Sequence, residues 1–304
     1  MLHITNGDSA AETIRQTGIA GTVLPWRDVL HEGPVPAGLT LEAMSEVRAR
    51  FLEVTVEEFR LRDHILKAGL GEDEIVLWFE ADLYDQLQIL QILDWLGRQQ
   101  HRPMLSMICI GEYPGIANFQ GIGQLTVKQM AGLFPDRRVV TQKQIELATE
   151  AWRAFTAPDP GHLNRMVFAD TSALPFLGEA ILRALDLYPL TTNGLDRSER
   201  QVLQVLSAGP MTFPDLFPRT QALEERPFMG DTTLWDRILH LTKGPAPAVV
   251  VVEGSILSLT PFGRECFHGM ADFIARNGID RWIGGVHLTK ESRWRWDPRA
   301  RQVG

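Results

Sequence analysis

Cysteine is scarce in this chain: Cys109 and Cys266 are the only two in 304 residues. Two thiols so far apart give neither a disulfide framework nor the paired spacing of a zinc site. The expectation is two buried free thiols in a reducing cytoplasm. Long apolar runs are also missing, and no stretch reaches the roughly 18 residues that suggest a membrane span. The first residues show no basic region followed by the apolar stretch of a secretory signal. The usual signatures of nucleotide binding and hydrolysis are absent as well. There is no G-x-G-x-x-G fingerprint, no Walker loop, no G-x-S-x-G elbow and no H-E-x-x-H. "GIGQL" (121–125) is too short to count as a nucleotide loop. No covalent nucleophile stands out.

Charge is present but uneven. From Leu195 onward there are 14 basic and 13 acidic residues, against 16 and 25 in residues 1–194. An acidic N-terminal part repels nucleic acid at long range and tolerates a metal or cationic group more readily than a bare phosphate. Hydrophobic residues make up 44 % of the chain, ample for a buried core and for two domains.

The first third alternates strand and helix signals. Residues 3–5 and 21–26 read as strands, with a helix at 9–17 between them that Gly18 stops. A turn-rich "HEGPVPAGLT" (31–40) leads into two helical stretches that run to Lys67. "EIVLWFE" (74–80) is nearly continuous in apolar residues, as a strand buried on both faces would be. "DQLQILQILDWLG" (85–97) has helical spacing and ends in glycine, and "MLSMICIG" (104–111) is a fourth apolar strand. This alternation predicts an α/β fold: an open, mostly parallel sheet with helices on both faces over residues 1–125. Residues 126–193 read as a helical segment packing on that sheet. Beyond the polar hinge "TTNGLDRSER", residues 194–304 read as a winged-helix-like α+β domain with a terminal hairpin, in the order helix, short helix, helix, hairpin.

Polar residues gather where the strands end. Strand one runs into Asn6, Gly7, Asp8 and Ser9, and strand two into Trp26, Arg27, Asp28 and His31. The third runs into Glu80, Asp82, Asp85 and Gln86, and the fourth into Glu112. In an open parallel sheet those ends line one edge, where ligands bind. Each residue also has a local explanation. Ser9 and Asp8 suit a helix cap, and Asp85 and Gln86 suit compensation of a helix dipole. Four such loops together point to a site. Asp8, Asp28 and His31 are the first candidates for catalysis, with His31 a general base oriented by a carboxylate. Asn6, Gly7, Ser9, Trp26, Arg27, Glu80, Asp82, Gln86 and Glu112 are candidates for ligand binding. Converging carboxylates make a divalent cation such as Mg²⁺ or Mn²⁺ a candidate cofactor, and Arg27 could neutralise an anionic ligand or pair with an acid.

The phrases "HITNGDSAAE", "LPWRDVLHEGPVP" and "WFEADLYDQLQILQ" resemble the N-terminal domain of a bacterial family catalogued as domain of unknown function number eighteen thirty-five, over residues 2–114. "GLDRSERQVLQVL" and "LTPFG" resemble the C-terminal domain, also of unknown function, that often accompanies it. The resemblance implies no established activity. Three functional expectations stand side by side. The first is a small polar ligand bound at the strand ends, with hydrolysis or group transfer as the chemistry of an enzyme. The second is a ligand-sensing regulator or adaptor whose winged-helix-like part binds DNA or a protein. The third is an assembly protein, docking on a protein partner or on copies of itself, whose polar cluster is only caps and ion pairs. The DNA version is weakened by a near-neutral candidate recognition helix, "GDTTLWDRILHLTKG", where Arg237, His240 and Lys243 face Asp231 and Asp236 in number. In the tail "RWRWDPRAR", period-2 alternation predicts Trp294 and Trp296 packed and Arg293 and Arg295 in solvent.

Overall fold

The computed structural model describes residues 1–292 and 294–304. It divides into two compact units, Met1–Ile181 with Gly284–Val286, and Leu182–Ile283 with His287–Gly304. Among the described residues no helix is long and apolar enough to cross a membrane.

The first unit is the α/β fold. It runs β1 (Leu2–Thr5), α1 (Asp8–Gln16), β2 (Thr22–Pro25), a two-residue β3 (Gly33–Pro34), α2 (Leu41–Phe51), α3 (Val56–Ala68), β4 (Glu74–Glu80), α4 (Leu83–Gly97) and β5 (Met104–Ile110). Then follow α5 (Val127–Leu133), β6 (Arg138–Val139), α6 (Gln142–Thr156) and α7 (Gly161–Met166), with α8 at Leu177–Leu185. The main sheet has the order β2-β1-β4-β5-β6. Its first four strands are parallel, and β6 joins β5 antiparallel. The β6 edge was not expected from the sequence. Two residues carry no periodicity, and their partner selects them.

All seven residues of β4 are buried, as its unbroken apolar run requires. Alternation sends Val76 and Trp78 to one face, where they pack with Ala10 and Ile14 of α1 and Met130 of α5. Ile75, Leu77 and Phe79 point to the other face, against which α4 lies. α4 in turn packs along α6 and is therefore buried on nearly every side.

The chain passes from β1 to β2 on one side, then returns to β4 on the other side of β1. Strand order reverses between β1 and β4. At such a reversal the loops leaving two neighbouring parallel strands diverge, and a crevice opens at their C-terminal ends.

The second unit begins with α9 (Arg197–Leu206), β7 (Met211–Thr212), α10 (Phe213–Gln221), α11 (Asp231–Leu241), β8 (Val249–Val252) and β9 (Ile256–Leu259). The three strands form an antiparallel sheet ordered β7-β9-β8. This is the winged-helix arrangement, around a core that includes Val202, Leu203, Ile238 and Leu257. In the tail, Trp296 is buried and donates its indole N–H to Asp186 at 2.8 Å. Arg295 departs from the solvent-facing position that alternation gave it: it holds Asp272 through both guanidinium nitrogens at 2.6 and 3.1 Å. Its partner lies far back in the sequence and draws it inward. Arg293, assigned to solvent by the same alternation, lies outside the described residues.

Candidate functional site

The ends of β1 and β4 bring four polar side chains together. Glu80 is the last residue of β4. Asp82 caps α4, accepting from the Asp85 backbone N–H at 3.0 Å. Asp85 folds back to accept from the Glu80 N–H at 2.8 Å. Carboxylate oxygens of Glu80, Asp82 and Asp85 lie within 4.8 Å of one another. Asn6, just past β1, donates to Glu80 at 3.0 Å and to both oxygens of Asp85 at 3.2 and 3.0 Å. The parallel register Thr5↔Trp78 sets Asn6 beside the exit of β4.

Two further elements hold the Glu80 side chain and backbone. The Ile122 N–H donates to Glu80 Oε1 at 2.7 Å. Gly121, with φ at +153°, precedes it, and a Cβ there would collide with the Glu80 carboxylate. Gln86 donates to the Glu80 carbonyl at 2.7 Å, and the Cys109 thiol approaches the same carbonyl at 3.3 Å.

This cluster is buried. Glu80 is 7 %, Asp82 8 % and Asp85 0 % exposed. Among the described residues no ion pair joins Glu80 or Asp85 to a cation. Loss of hydration, then the neighbouring Asp82, pushes the Glu80 carboxyl up to about 8. The same two causes in the same order raise Asp85 well above the carboxylate range, with Glu80 adding to them. Burial, followed by the charge of Asp85, pushes the Cys109 thiol up to about 12. A set of three close carboxyls can reach low energy in two ways: by keeping protons, or by sharing a cation with oxygen preference.

The other candidate residues take different positions. Asp28 is fully buried and accepts from Arg48 Nε at 2.8 Å. The same guanidinium spans the carbonyls of Val29 and Glu32 at 2.8 and 2.6 Å, so it ties the loop after β2 to α2. Arg62 lies 3.6 Å from the second Asp28 oxygen and stacks over Trp26 at 4.1 Å. Trp26 donates to Gln91 at 2.8 Å. His31 is buried, its ring edge-on to Tyr84 at 6.0 Å. Asp8 and Arg27 form an exposed ion pair, with Arg27 at φ +59°. Gly7 is the extended N-cap residue of α1, Ser9 reaches the Gly123 carbonyl at 3.3 Å, and Glu112 is exposed. The structure therefore groups Asn6, Glu80, Asp82 and Gln86 with Asp85. Asp28 belongs to a separate cluster with Arg48 and Arg62. Sequence reasoning read Asp85 as an ordinary first-turn acid. It gave Gly121 and Ile122 no part, because their tie to Glu80 spans some forty residues.

In the second unit the polar centre is a closed network. Asp196 accepts from Arg237 at 3.0 Å and Arg281 at 2.7 Å. Glu199 is bonded by Arg281 and by His240, the latter at 3.0 Å. Two of the three cations that α11 and its end offered to DNA are thereby drawn inward, while Asp231 and Asp236 stay exposed.

No family model matches the chain, and no curated protein matches it either.

Proposed function

We propose that the α/β unit binds a small polar ligand together with a divalent cation at the C-terminal ends of β1 and β4. The observation that carries this reading is the cluster of Glu80, Asp82 and Asp85, buried at the reversal of strand order without a compensating cation on Glu80 or Asp85. In this reading the three carboxylates supply oxygen ligands, and Asn6 orients two of them. Gln86 and the Gly121-Ile122 backbone hold Glu80 in place. Gly7, Asp8, Ser9 and Arg27 form the rim, with Arg27 available to an anionic group of the ligand. Trp26, Asp28 and His31 shape the loop after β2. A bound Mg²⁺ or Mn²⁺ would polarise the ligand and lower the pKa of a water, so hydrolysis or group transfer is the chemistry this side-chain set fits. Membership in the family of unknown function eighteen thirty-five, and a cytoplasmic location, belong to the same proposal.

The test is thermal unfolding of the purified chain with Mg²⁺ or Mn²⁺, alone and with nucleotides, phosphosugars or amino acids, at pH 6 and pH 8.5. A ligand at about 100 times its dissociation constant adds roughly 2.7 kcal/mol, which moves the midpoint by a few degrees. The cation effect is expected to be larger at pH 8.5, where Glu80 gives up its proton, and to vanish in Asp85→Asn. No cation-dependent shift at either pH, or an equal shift in the variant, would sink the proposal.

A second reading is supported by charge. The exposed acids of α11 and the half-exposed Val251 and Val252 of β8 favour a protein surface over DNA as the partner of the winged-helix unit. Retention on DNA at low salt would overturn that preference.

A further inference from the structure

A separate cleft of about 640 Å³ lies within the α/β unit, bounded by the start of α2, the C-terminal half of α4 and the C-terminal end of α6. Its size falls in the range of small-molecule sites. The sequence builds it from a segment that does not pack as regular structure. Pro36 and Gly38 (φ +80°) carry the chain to Thr40, the N-cap of α2, and leave Leu39 exposed. Two indoles line the cleft, half-buried Trp95 from α4 and buried Trp152 from α6.

Two donors on its wall have no hydrogen-bond partner among the described residues. Gln91 is 4 % exposed and its carbonyl oxygen is taken by Trp26, so its amide NH₂ is left without a hydrogen-bond partner among the described residues. Arg153 is exposed and its guanidinium makes no ion pair or hydrogen bond among the described residues. Thr40 caps the Ala43 N–H, and the Glu42 carboxylate accepts from its own backbone N–H in the first turn of α2. Asp94 is paired with Arg98 at 2.6 Å and also feels the charge of Arg153, and Glu42 is paired with Lys67. What remains is one cation without an ion pair, one amide donor without a partner and two aromatic walls.

We infer that this cleft binds a small flat aromatic molecule carrying one carboxylate. The ring covers indole surface, and the carboxylate takes the donors of Arg153 and Gln91. The site is independent of the carboxylate cluster at the strand ends.

Isothermal titration of the full chain tests it, with indole-3-acetate as the probe, indole-3-ethanol as the neutral counterpart and acetate as the anion without a ring. Indole-3-acetate is expected to bind, indole-3-ethanol about tenfold more weakly, and acetate without measurable heat. Arg153→Gln is expected to weaken indole-3-acetate about tenfold, Arg153→Lys to recover part of the loss, and Glu80→Gln to leave it unchanged. Absence of binding at millimolar probe would overturn the inference. So would equal binding of the neutral counterpart, indifference to Arg153→Gln, or loss of binding in Glu80→Gln, which would move the probe to the strand ends.

Discussion

Two buried carboxylate clusters, one in each unit, have almost the same burial and different counter-charges. Glu80 and Asp85 in the α/β unit and Asp196 and Glu199 in the winged-helix unit are each less than a tenth exposed. Burial raises the carboxyl pKa in both places. At Glu199, however, the charges of Arg281, His240 and Arg237 overcome burial and hold the group well below the usual carboxylate range, while burial and then the Glu199 charge leave its neighbour Asp196 raised. Glu80 has no such partners among the described residues and is pushed up to about 8. Dehydration is common to both sites, so the counter-charge is what separates them. One cluster is finished within the protein. The other is a place where a proton or an external cation completes the balance.

The comparison breaks most severely if the finished cluster is robbed of a cation. Arg281→Met leaves Asp196 and Glu199 buried with less compensation and is expected to cost about 3–5 kcal/mol in urea unfolding. A loss near zero would mean that the network is not closed as described. The unfinished cluster should respond with the opposite sign. Burial lifts Glu80 from its ordinary 4.5 to about 8, so between those values the native state holds a proton that the unfolded chain has released. Stability conferred by that proton is present at low pH and lost as pH rises from about 4.5 to about 8. Glu80→Gln keeps the acceptor for the Ile122 N–H and removes the charge. The variant is expected to be more stable than the parent by roughly 1–3 kcal/mol at pH 8.5, without added metal, and to show a shallower slope between pH 5 and pH 8, since Asp85 stays raised by burial and by Asp82. Denaturation series across pH read this directly, and an unchanged slope would contradict it. Smallest is the effect at the exposed pair of Asp8 and Arg27, with side chains 68 % and 54 % exposed. Water screens both, and Arg27→Ala is expected to change stability by about 0.5 kcal/mol or less. A larger loss would show that the rim is more than a solvated ion pair.

Much of the α/β unit was legible in the sequence. "EIVLWFE" gives β4 because five apolar positions in a row suit a strand covered on both faces. The strand-end acids were equally visible, since Glu80 and Asp82 sit where that run stops. Their grouping was not visible. Asp28 and Glu80 look alike in sequence, each an acid just past an apolar strand. Asp28 meets Arg48, twenty residues further along a helix where an arginine looks like ordinary surface. Glu80 meets Asn6, Asp85 and the Ile122 N–H instead. In the second unit, α11 presented Arg237 and His240 as surface cations, and folding turned both toward buried acids.

The sequence by itself determined the longer strands and helices of the α/β unit, because side-chain period and caps are local properties of the chain. It also determined that the polar residues follow the strands. Tertiary structure alone decided which of those acids are neutralised and which are left facing one another. That choice depends on strand order and on arginines distant in sequence, and electrostatic energy between buried groups follows distance in space.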